Sequence, residues 1–361
     1  MYSATPVTPT TMKAMIYDSG GPARMFWNSS YPVPKIGKND VLVKVVSSSV
    51  NPLDYRITES HSKFMSHRNQ VVGQDVAGTV IAVGSKVGEF SVGDKVFGFG
   101  SGYANYAIVK STKLIKIPPG VNLADMGVYP LVATTALQAL RTYWLDKPNY
   151  TIRSILVIGG SGGVGSCLIQ MARSFGGPEL RIYSLSSAKN ADYCREMGAN
   201  DTIDYTSRDF DLTRSLPIHS LDLIFDLVSG TPESTDYLAS GAMLLLKQSG
   251  TYVAFNSMST FDKLRASLSR IFGVNIERSR YKLFAMKRKS TDLETIATMV
   301  GEGKLKLTVS DQVPLTETPI RRAIHTIKQR HVRGKIQIKH QNGETPSVDL
   351  GYTTPTGTEQ T

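Results

Sequence analysis

The chain has 361 residues, 41% of them apolar and 20% charged, with a net charge of +11. These values describe an ordinary globular protein large enough for two domains. They exclude a membrane-spanning chain, since no run of about 18 apolar residues occurs, and two cysteines are too few for a disulfide framework or a Cys-cluster zinc site.

The first eleven residues, "MYSATPVTPTT", lack a basic start and an apolar stretch, so they read as a disordered tail and not as a secretory signal. Cys167 and Cys194 fall within predicted helices, which points to a reducing compartment, read here as the cytoplasm with an organelle left open. The charge is uneven: from Lys263 to Lys289 nine Lys or Arg residues face the single acid Glu277.

From residue 12 to about 117 the pattern is that of strands. "DVLVKVVSSSV" and "VAGTVIAVG" are dense in β-branched residues, with turn groups such as "SVGDKV" and "IPPGV" at short intervals. From Ser154 the period changes. "SILVIG" is an apolar run without alternation, as for a strand buried on both faces. The helical pattern "VGSCLIQMARSF" follows, with Val164, Leu168, Met171 and Phe175 on one face. Further strands are predicted in "RIYSL", "DTIDY", "LDLIFDL" and "GTYVAF", and helices in "NADYCREM" and "STDYLASGAMLLL". Such alternation predicts a doubly wound parallel sheet with helices on both faces, an α/β class. Helices in "DLETIATMVGEGKLKL" and "IRRAIHTIKQ" and a returning strand "GKIQIK" complete the chain before a tail over 341–361.

The run "GGSGGVGS" at 159–166 joins the first buried strand to the helix after it. Its loop Gly160, Ser161, Gly162, Gly163, Val164, Gly165 contains G-x-G-x-x-G at the place a dinucleotide site requires. On this reading Gly160 permits the tight turn, Gly162 admits a pyrophosphate to the backbone, and Gly165 lets helix and strand pack closely. N–H groups at the helix start then meet the phosphate. No Gly-Lys-Ser/Thr follows, which argues against a triphosphate loop. At the end of the second strand an NAD site would place an acid, whereas this chain has "SSAKN". Ser186, Ser187, Lys189 and the adjacent Asn190 suit a 2′-phosphate, so the cofactor reads as NADPH.

The stretches "VNPLDYRI", "VVGQDVAGTVIAVGSKVGEFSVGDKVFGFG", "YPLVATTALQAL", "LVIGGSGGVGSCLIQMAR", "MGANDTIDY", "LIFDLVSG" and "GEGKLKLTVSDQVPL" come in the order and spacing of a known family. The chain resembles the zinc-free quinone oxidoreductases of the medium-chain dehydrogenase/reductase superfamily. The resemblance implies a GroES-like (chaperonin-10-like) β-barrel catalytic domain over 12–136 and 291–340, interrupted by a Rossmann domain over 137–290, with the active site between them. By position it implies Lys189 and Tyr205 beside the 2′-phosphate, Thr135 beside the nicotinamide, and Val228, Phe255 and Asn256 on the nicotinamide half. It also implies a homodimer joined through the last sheet strand, with "GTYVAF" placed to do so. Where zinc alcohol dehydrogenases have ligands, this chain has Ser49 to Asn51 and Gly73, Gln74, Asp75, so no zinc is expected. His61 and His67 read as surface residues.

The expected activity is NADPH-dependent hydride transfer to quinones or α,β-unsaturated carbonyls, with catalytic candidates Asn51, Asp54 and Tyr55. Asn51 reads as the polar contact near the nicotinamide and Asp54 as a brace of its loop. Tyr55 is open between acid and cleft wall, with Tyr103 a further lining candidate. Two rivals stay open. One is an enoyl-thioester reductase of the same superfamily, although "RITESHSKFMSHRNQ" lacks the Gly and Tyr of that pattern. The other is a non-catalytic NADPH-binding protein resting on membranes through 263–289. No module for nucleic acid accompanies the charge.

Overall fold

The computed structural model describes residues 10–18, 24–59, 69–148, 151–230, 235–255 and 280–340. Asn256, His61, His67, the basic stretch up to residue 279 and the C-terminal tail lie outside the described residues. Thr11, read as the end of a tail, already belongs to the first strand, and the Thr10 carbonyl before it accepts from Val33 N at 3.0 Å.

The first domain is built around β3 (Asp40–Val50), whose residues 41–45 are nearly all valine or leucine. One side of β3 pairs with β5 (Asp75–Val83). The other side is shared: residues 40–44 pair with β7 (Tyr106–Lys110) and residues 47–50 with β16 (Lys335–Lys339). The sheet order is β15-β16-β3-β5-β6-β8, with β6 Lys95–Phe99, β8 Leu114–Lys116 and β15 Val309–Pro314. A second sheet orders β2-β1-β4, from Arg24–Pro32, Thr11–Asp18 and Gln70–Val71. Residues nearly 300 positions apart thus meet across β3 and β16. The helix Glu317–Lys328 covers them, burying Ile320, Ala323, Ile324 and Ile327 at helical spacing against Val50, Ile336 and Ile338.

The second domain is a six-stranded parallel sheet ordered β11-β10-β9-β12-β13-β14. Its strands are Asp201–Asp204, Arg181–Ser186, Ser154–Ile158, Leu221–Asp226, Leu246–Ala254 and Tyr281–Leu283. Central β9 and β12 are buried at every position, as an all-apolar strand between two helical layers must be. The helices Pro130–Leu140 and Gly163–Gly176 pack on this sheet, and the first of them spans the domain boundary read at 136. Ala133, Ala136, Leu137 and Leu140 meet Leu168 and Met171 in one cluster. Each fully buried Leu or Met contributes roughly 1.5–3 kcal/mol.

Three expectations change. Phe175, placed on the buried face of its helix, is 41% exposed, because that face rotates off the sheet in the last turn. The helix expected over "STDYLASGAMLLL" is not formed: the described part is turns and a short 3-10 helix at Ala242–Leu245, entered through Gly241 at φ 85°. "GTYVAF" is not the edge strand, because β14 pairs parallel to it and forms the edge. Among the described residues no helix is long and apolar enough to cross a membrane.

Candidate active site

The end of β3 reads Ser47, Ser48, Ser49, Val50, Asn51, and three consecutive serines in a buried strand must each find a partner. Ser47 Oγ accepts from Gln337 Nε2 at 2.9 Å, Ser48 Oγ lies 3.1 Å from His340 Nε2, and Ser49 Oγ donates to Asp75 Oδ2 at 2.5 Å. Asn51, fully buried, donates from Nδ2 to Asp75 Oδ2 at 2.7 Å and accepts at Oδ1 from Lys335 Nζ at 2.6 Å. A lysine only donates and a carboxylate only accepts, so the orientation of the Asn51 amide is fixed at both ends. Lys335 Nζ also donates to the Val50 carbonyl at 2.8 Å and stands 3.9 Å from Asp75 Oδ2. Burial pushes the Lys335 ammonium below the usual lysine range, while Asp75 and Asp54 pull it back up. Asp75 Oδ1 takes the Leu131 N–H at 2.8 Å, at the start of the Pro130–Leu140 helix, where the macrodipole favours an anion.

The glycine run is fixed by separate reasons at each position. Gly159, and not Gly160, supplies the left-handed residue of the turn, with φ 84°. A Cβ on Gly160 would meet Ser184 Oγ at 2.1 Å, and one on Gly165 would meet the Gly159 carbonyl at 2.3 Å, so both are needed for packing. Gly162 differs. Its φ of −77° suits any residue, and a Cβ there would find only Gly159 O, at 3.5 Å. Nothing in the fold requires glycine at 162, which is what a position kept open for a ligand shows. Gly162 is the N-cap of a 14-residue helix with no side-chain cap, so the first-turn N–H groups lack a capping partner. The loop therefore fits the pyrophosphate of a dinucleotide.

The loop and the polar cluster are joined. Gly334 N donates to Ser161 O at 2.9 Å, Gly162 and Gly334 form a parallel bridge, and a Cβ on Gly163 would lie 2.9 Å from Lys335 Cδ. Next to this junction, Asn190 donates to Ser161 Oγ and Ser187 Oγ at 3.3 and 3.2 Å and accepts from Arg333 Nε at 3.1 Å. Asn190 thus braces the loop. Ser186, 2% exposed, sits against Cys194 Sγ at 3.7 Å. Lys189 and Tyr205 are exposed at this end, and no acid ends β10, so this end fits a 2′-phosphate. Asp204, on the neighbouring strand, is committed to Ala188 N and Thr206.

Thr135 donates to the Leu131 carbonyl at 2.6 Å within its own helix. Val228, which a Cβ on Gly159 would touch at 3.0 Å, and Phe255, whose ring packs on Phe225 and Phe284, lie beyond the ends of β12 and β13. Val164 packs against the helical core. Asp54 is 1% exposed and its Oδ2 accepts from Asn51 N and Tyr103 Oη, both at 2.8 Å. Tyr103 is fully buried beneath it. The Tyr55 ring lies 5.2 Å below Lys328 Nζ, packed on the core of the first domain. A cavity of about 480 Å³ adjoins the cluster and is lined by Asp54, Gln74, Ile57 and Tyr17. Arg288 enters it from the second domain and bonds Gln74 Oε1, while Gln138 holds the Lys287 backbone at N and O, at 2.9 and 2.6 Å.

Sequence reasoning missed Asp75 as the hub, together with Lys335, Arg333 and Arg288. The one available signal was a lysine opening the otherwise apolar alternation of "GKIQIK", which solvent exposure would have explained equally well. The residues at the zinc-ligand positions do not fit zinc. Asp75 is saturated by Ser49, Asn51 and Leu131 and faces an ammonium. Among the described residues no group of three His, Cys, Asp or Glu could hold a metal ion.

A β-rich domain closed by a return strand, set against a Rossmann sheet whose phosphate loop touches the polar cluster, defines a two-domain nicotinamide oxidoreductase. The family model described as "Alcohol dehydrogenase GroES-like domain" matches residues 37–119 and "Zinc-binding dehydrogenase" matches 197–337. The chain is 28% identical over 345 residues to the NADPH-dependent alkenal/one oxidoreductase of Arabidopsis thaliana, a chloroplastic protein, covering 91% of this chain and 80% of that one. It is 27% identical over 318 residues to the chloroplast envelope quinone oxidoreductase homolog of the same plant, covering 85% and 92%. The solved quinone oxidoreductase of Coxiella burnetii superposes with a TM-score of 0.75 at 24% identity, covering 91% of this chain and 99% of that one. The chain belongs to the medium-chain dehydrogenase/reductase superfamily and is quinone oxidoreductase-like within it.

Proposed function

We propose that this protein is an NADPH-dependent reductase that transfers hydride to α,β-unsaturated carbonyls or quinones in the cleft between its two domains. The observation that carries the reading is the junction at Gly334 and Lys335, which places a phosphate loop against a polar cluster whose donor set cannot hold zinc. Bound there, NADPH supplies the hydride. The backbone N–H groups from Gly162 to Gly165 hold the pyrophosphate, Lys189 and Tyr205 the 2′-phosphate, and Thr135, Val228 and Phe255 border the nicotinamide half. Without a Lewis acid the substrate must spread its own negative charge, as an enolate or hydroquinone anion does. Asn51, clamped by Lys335 and Asp75, keeps the wall between cofactor loop and cavity in one geometry.

The proposal includes zinc independence, a homodimer and a cytoplasmic setting. The saturated Asp75 supports the first, the outer edge of β14 the second, and two buried free thiols the third. The test is NADPH oxidation by the purified protein with 1,4-benzoquinone, a 2-alkenal and crotonyl-CoA, repeated with NADH and with Lys189→Ala. Turnover of the quinone or alkenal with NADPH preferred, and roughly tenfold or more of that preference lost in Lys189→Ala, is expected. Turnover of crotonyl-CoA alone selects the enoyl-thioester reading. Tight NADPH binding with no acceptor reduced selects the non-catalytic one.

A further inference from the structure

The segment after β10 and the start of β16 meet at Asn190, where donors outnumber acceptors. Asn190, 7% exposed, donates from Nδ2 to Ser161 Oγ and Ser187 Oγ and accepts at Oδ1 from Arg333 Nε at 3.1 Å. An arginine offers no acceptor, so the Asn190 amide has one orientation, and each serine that accepts from it keeps its own O–H to donate. Arg333 Nη2 donates to the Lys189 carbonyl, also at 3.1 Å. The guanidinium carbon lies 5.3 Å from the centre of the Tyr193 ring. An exposed arginine of the first domain is thus held at three points on the second.

None of the three points carries a negative charge. Arg333 Nη1 has no hydrogen-bond partner, and the guanidinium has no ion pair, among the described residues. The carbonyl it holds belongs to Lys189, whose side chain is exposed, and Ser161 beside them is half-buried. Asp204, the acid on the adjoining strand, is turned to Ala188 N and Thr206. Two cations and a hydroxyl donor held together without an acid fit an anion with several acceptor oxygens, as a phosphate is.

Resting on the NADPH reading above, we infer that Arg333 is a specificity-determining residue for the cofactor's 2′-phosphate, supplied by the first domain to a site built on the second, and that this phosphate therefore tightens the seam between the domains. The pyrophosphate of the same cofactor is the other source of this chemistry, since Ser161 belongs to the glycine loop. The 2′-phosphate is favoured because Arg333 is bonded to Lys189 and Asn190, just beyond β10, where an NAD site carries its acid. The seam follows from the next residue: Gly334 N donates to Ser161 O at 2.9 Å and Gly334 bridges Gly162. A ligand that binds both sides of a seam favours the arrangement in which the seam is formed.

The experiment measures calorimetric binding of 2′,5′-ADP, 5′-ADP and 5′-AMP to the full-length protein, Arg333→Met and Arg333→Lys, with hydrogen exchange of residues 333–338 followed in the 2′,5′-ADP and 5′-AMP complexes. None of these probes is turned over, so the readout is independent of activity. The wild type should prefer 2′,5′-ADP to 5′-AMP at least about tenfold, and less so at about 500 mM than at about 50 mM NaCl. Arg333→Met should lose roughly tenfold in 2′,5′-ADP affinity with 5′-AMP and 5′-ADP within about threefold of wild type, and Arg333→Lys should keep part of the preference. Exchange should slow with 2′,5′-ADP and not with 5′-AMP, an effect absent in Arg333→Met. Unchanged 2′,5′-ADP affinity in Arg333→Met overturns the proposal. A fall shared equally by 5′-ADP assigns the arginine to the pyrophosphate, and one shared by all three probes makes it a brace of the fold; either overturns the proposal while the NADPH reading stands. Exchange that 2′,5′-ADP does not slow overturns the seam. A wild type that binds 2′,5′-ADP no better than 5′-AMP overturns the NADPH reading as well.

Discussion

The glycine loop at 159–165 and the polar cluster around Asp75 touch each other but are built on different principles. In the loop the constraint is steric, through a left-handed turn at Gly159, the Ser184 side chain against Gly160 and the Gly159 backbone against Gly165. In the cluster, Asn51 just after β3, Asp75 at the start of β5 and Lys335 at the start of β16 are distant in sequence and each faces the other two. At Gly160 and Gly165 the loop tolerates no added atom; the cluster tolerates no missing partner. The loop from 159 to 166 also contains no titratable side chain, whereas the first domain buries Asp54, Asp75, Lys335 and His340.

That contrast can be broken or sharpened by measurement. The largest effect belongs to pH. Burial pushes His340, bonded to Ser48, down to about 3. The folded protein keeps this histidine neutral while the unfolded chain takes up a proton below about 6.5, so its stabilising contribution is complete above that pH and disappears as pH falls toward 3. Over the whole window the loss is on the order of 5 kcal/mol. Urea unfolding at pH 7, 5 and 4 should show the wild type losing stability that His340→Gln retains. Parallel losses in both would place the acid sensitivity elsewhere.

Next in size, Lys335→Met strands Asn51 Oδ1 and the Val50 carbonyl and leaves Asp75 without its nearby cation, which should cost roughly 3–5 kcal/mol in chemical unfolding. A variant as stable as wild type would mean that the cluster does not depend on its lysine. The smallest effects separate two glycines three residues apart. Gly165→Ala drives a Cβ into the Gly159 carbonyl and should cost roughly 1–3 kcal/mol. Gly162→Ala should change stability by less than about 0.5 kcal/mol yet weaken NADPH binding at least about tenfold. Equal stability losses at the two positions would show that both glycines serve packing, removing the argument that 162 is open to a ligand.

Much of the fold was legible because its signals are local. The unbroken apolar runs of β9 and β12 state burial on both faces, and the glycines between β9 and its helix state a tight strand-to-helix turn in one dozen residues. Legibility fails where a signal is shared by two structures. "STDYLASGAMLLL" carries enough apolar residues for a helix, but Gly241 turns the chain and a 3-10 turn buries Ala242 and Leu245 instead, leaving Leu244 exposed. "GTYVAF" reads as a final strand because β14, only three residues long, offers no periodicity of its own. Asp54 and Tyr103 were singled out, but the pairing of one with the other across 49 positions was not visible.

The sequence by itself determined the parallel sheet, the cofactor loop and the absence of thiolate or imidazole at the zinc-ligand positions, since these depend on residue type and spacing along one stretch. Only the tertiary structure decided which polar residues form the site. A hydrogen bond depends on distance in space, and Ser49, Asn51, Asp54, Asp75, Tyr103 and Lys335 become neighbours only when β16 returns to β3 and the Pro130–Leu140 helix sets its first N–H against Asp75. Burial then makes each of those bonds obligatory, because no water remains to replace a partner that is lost.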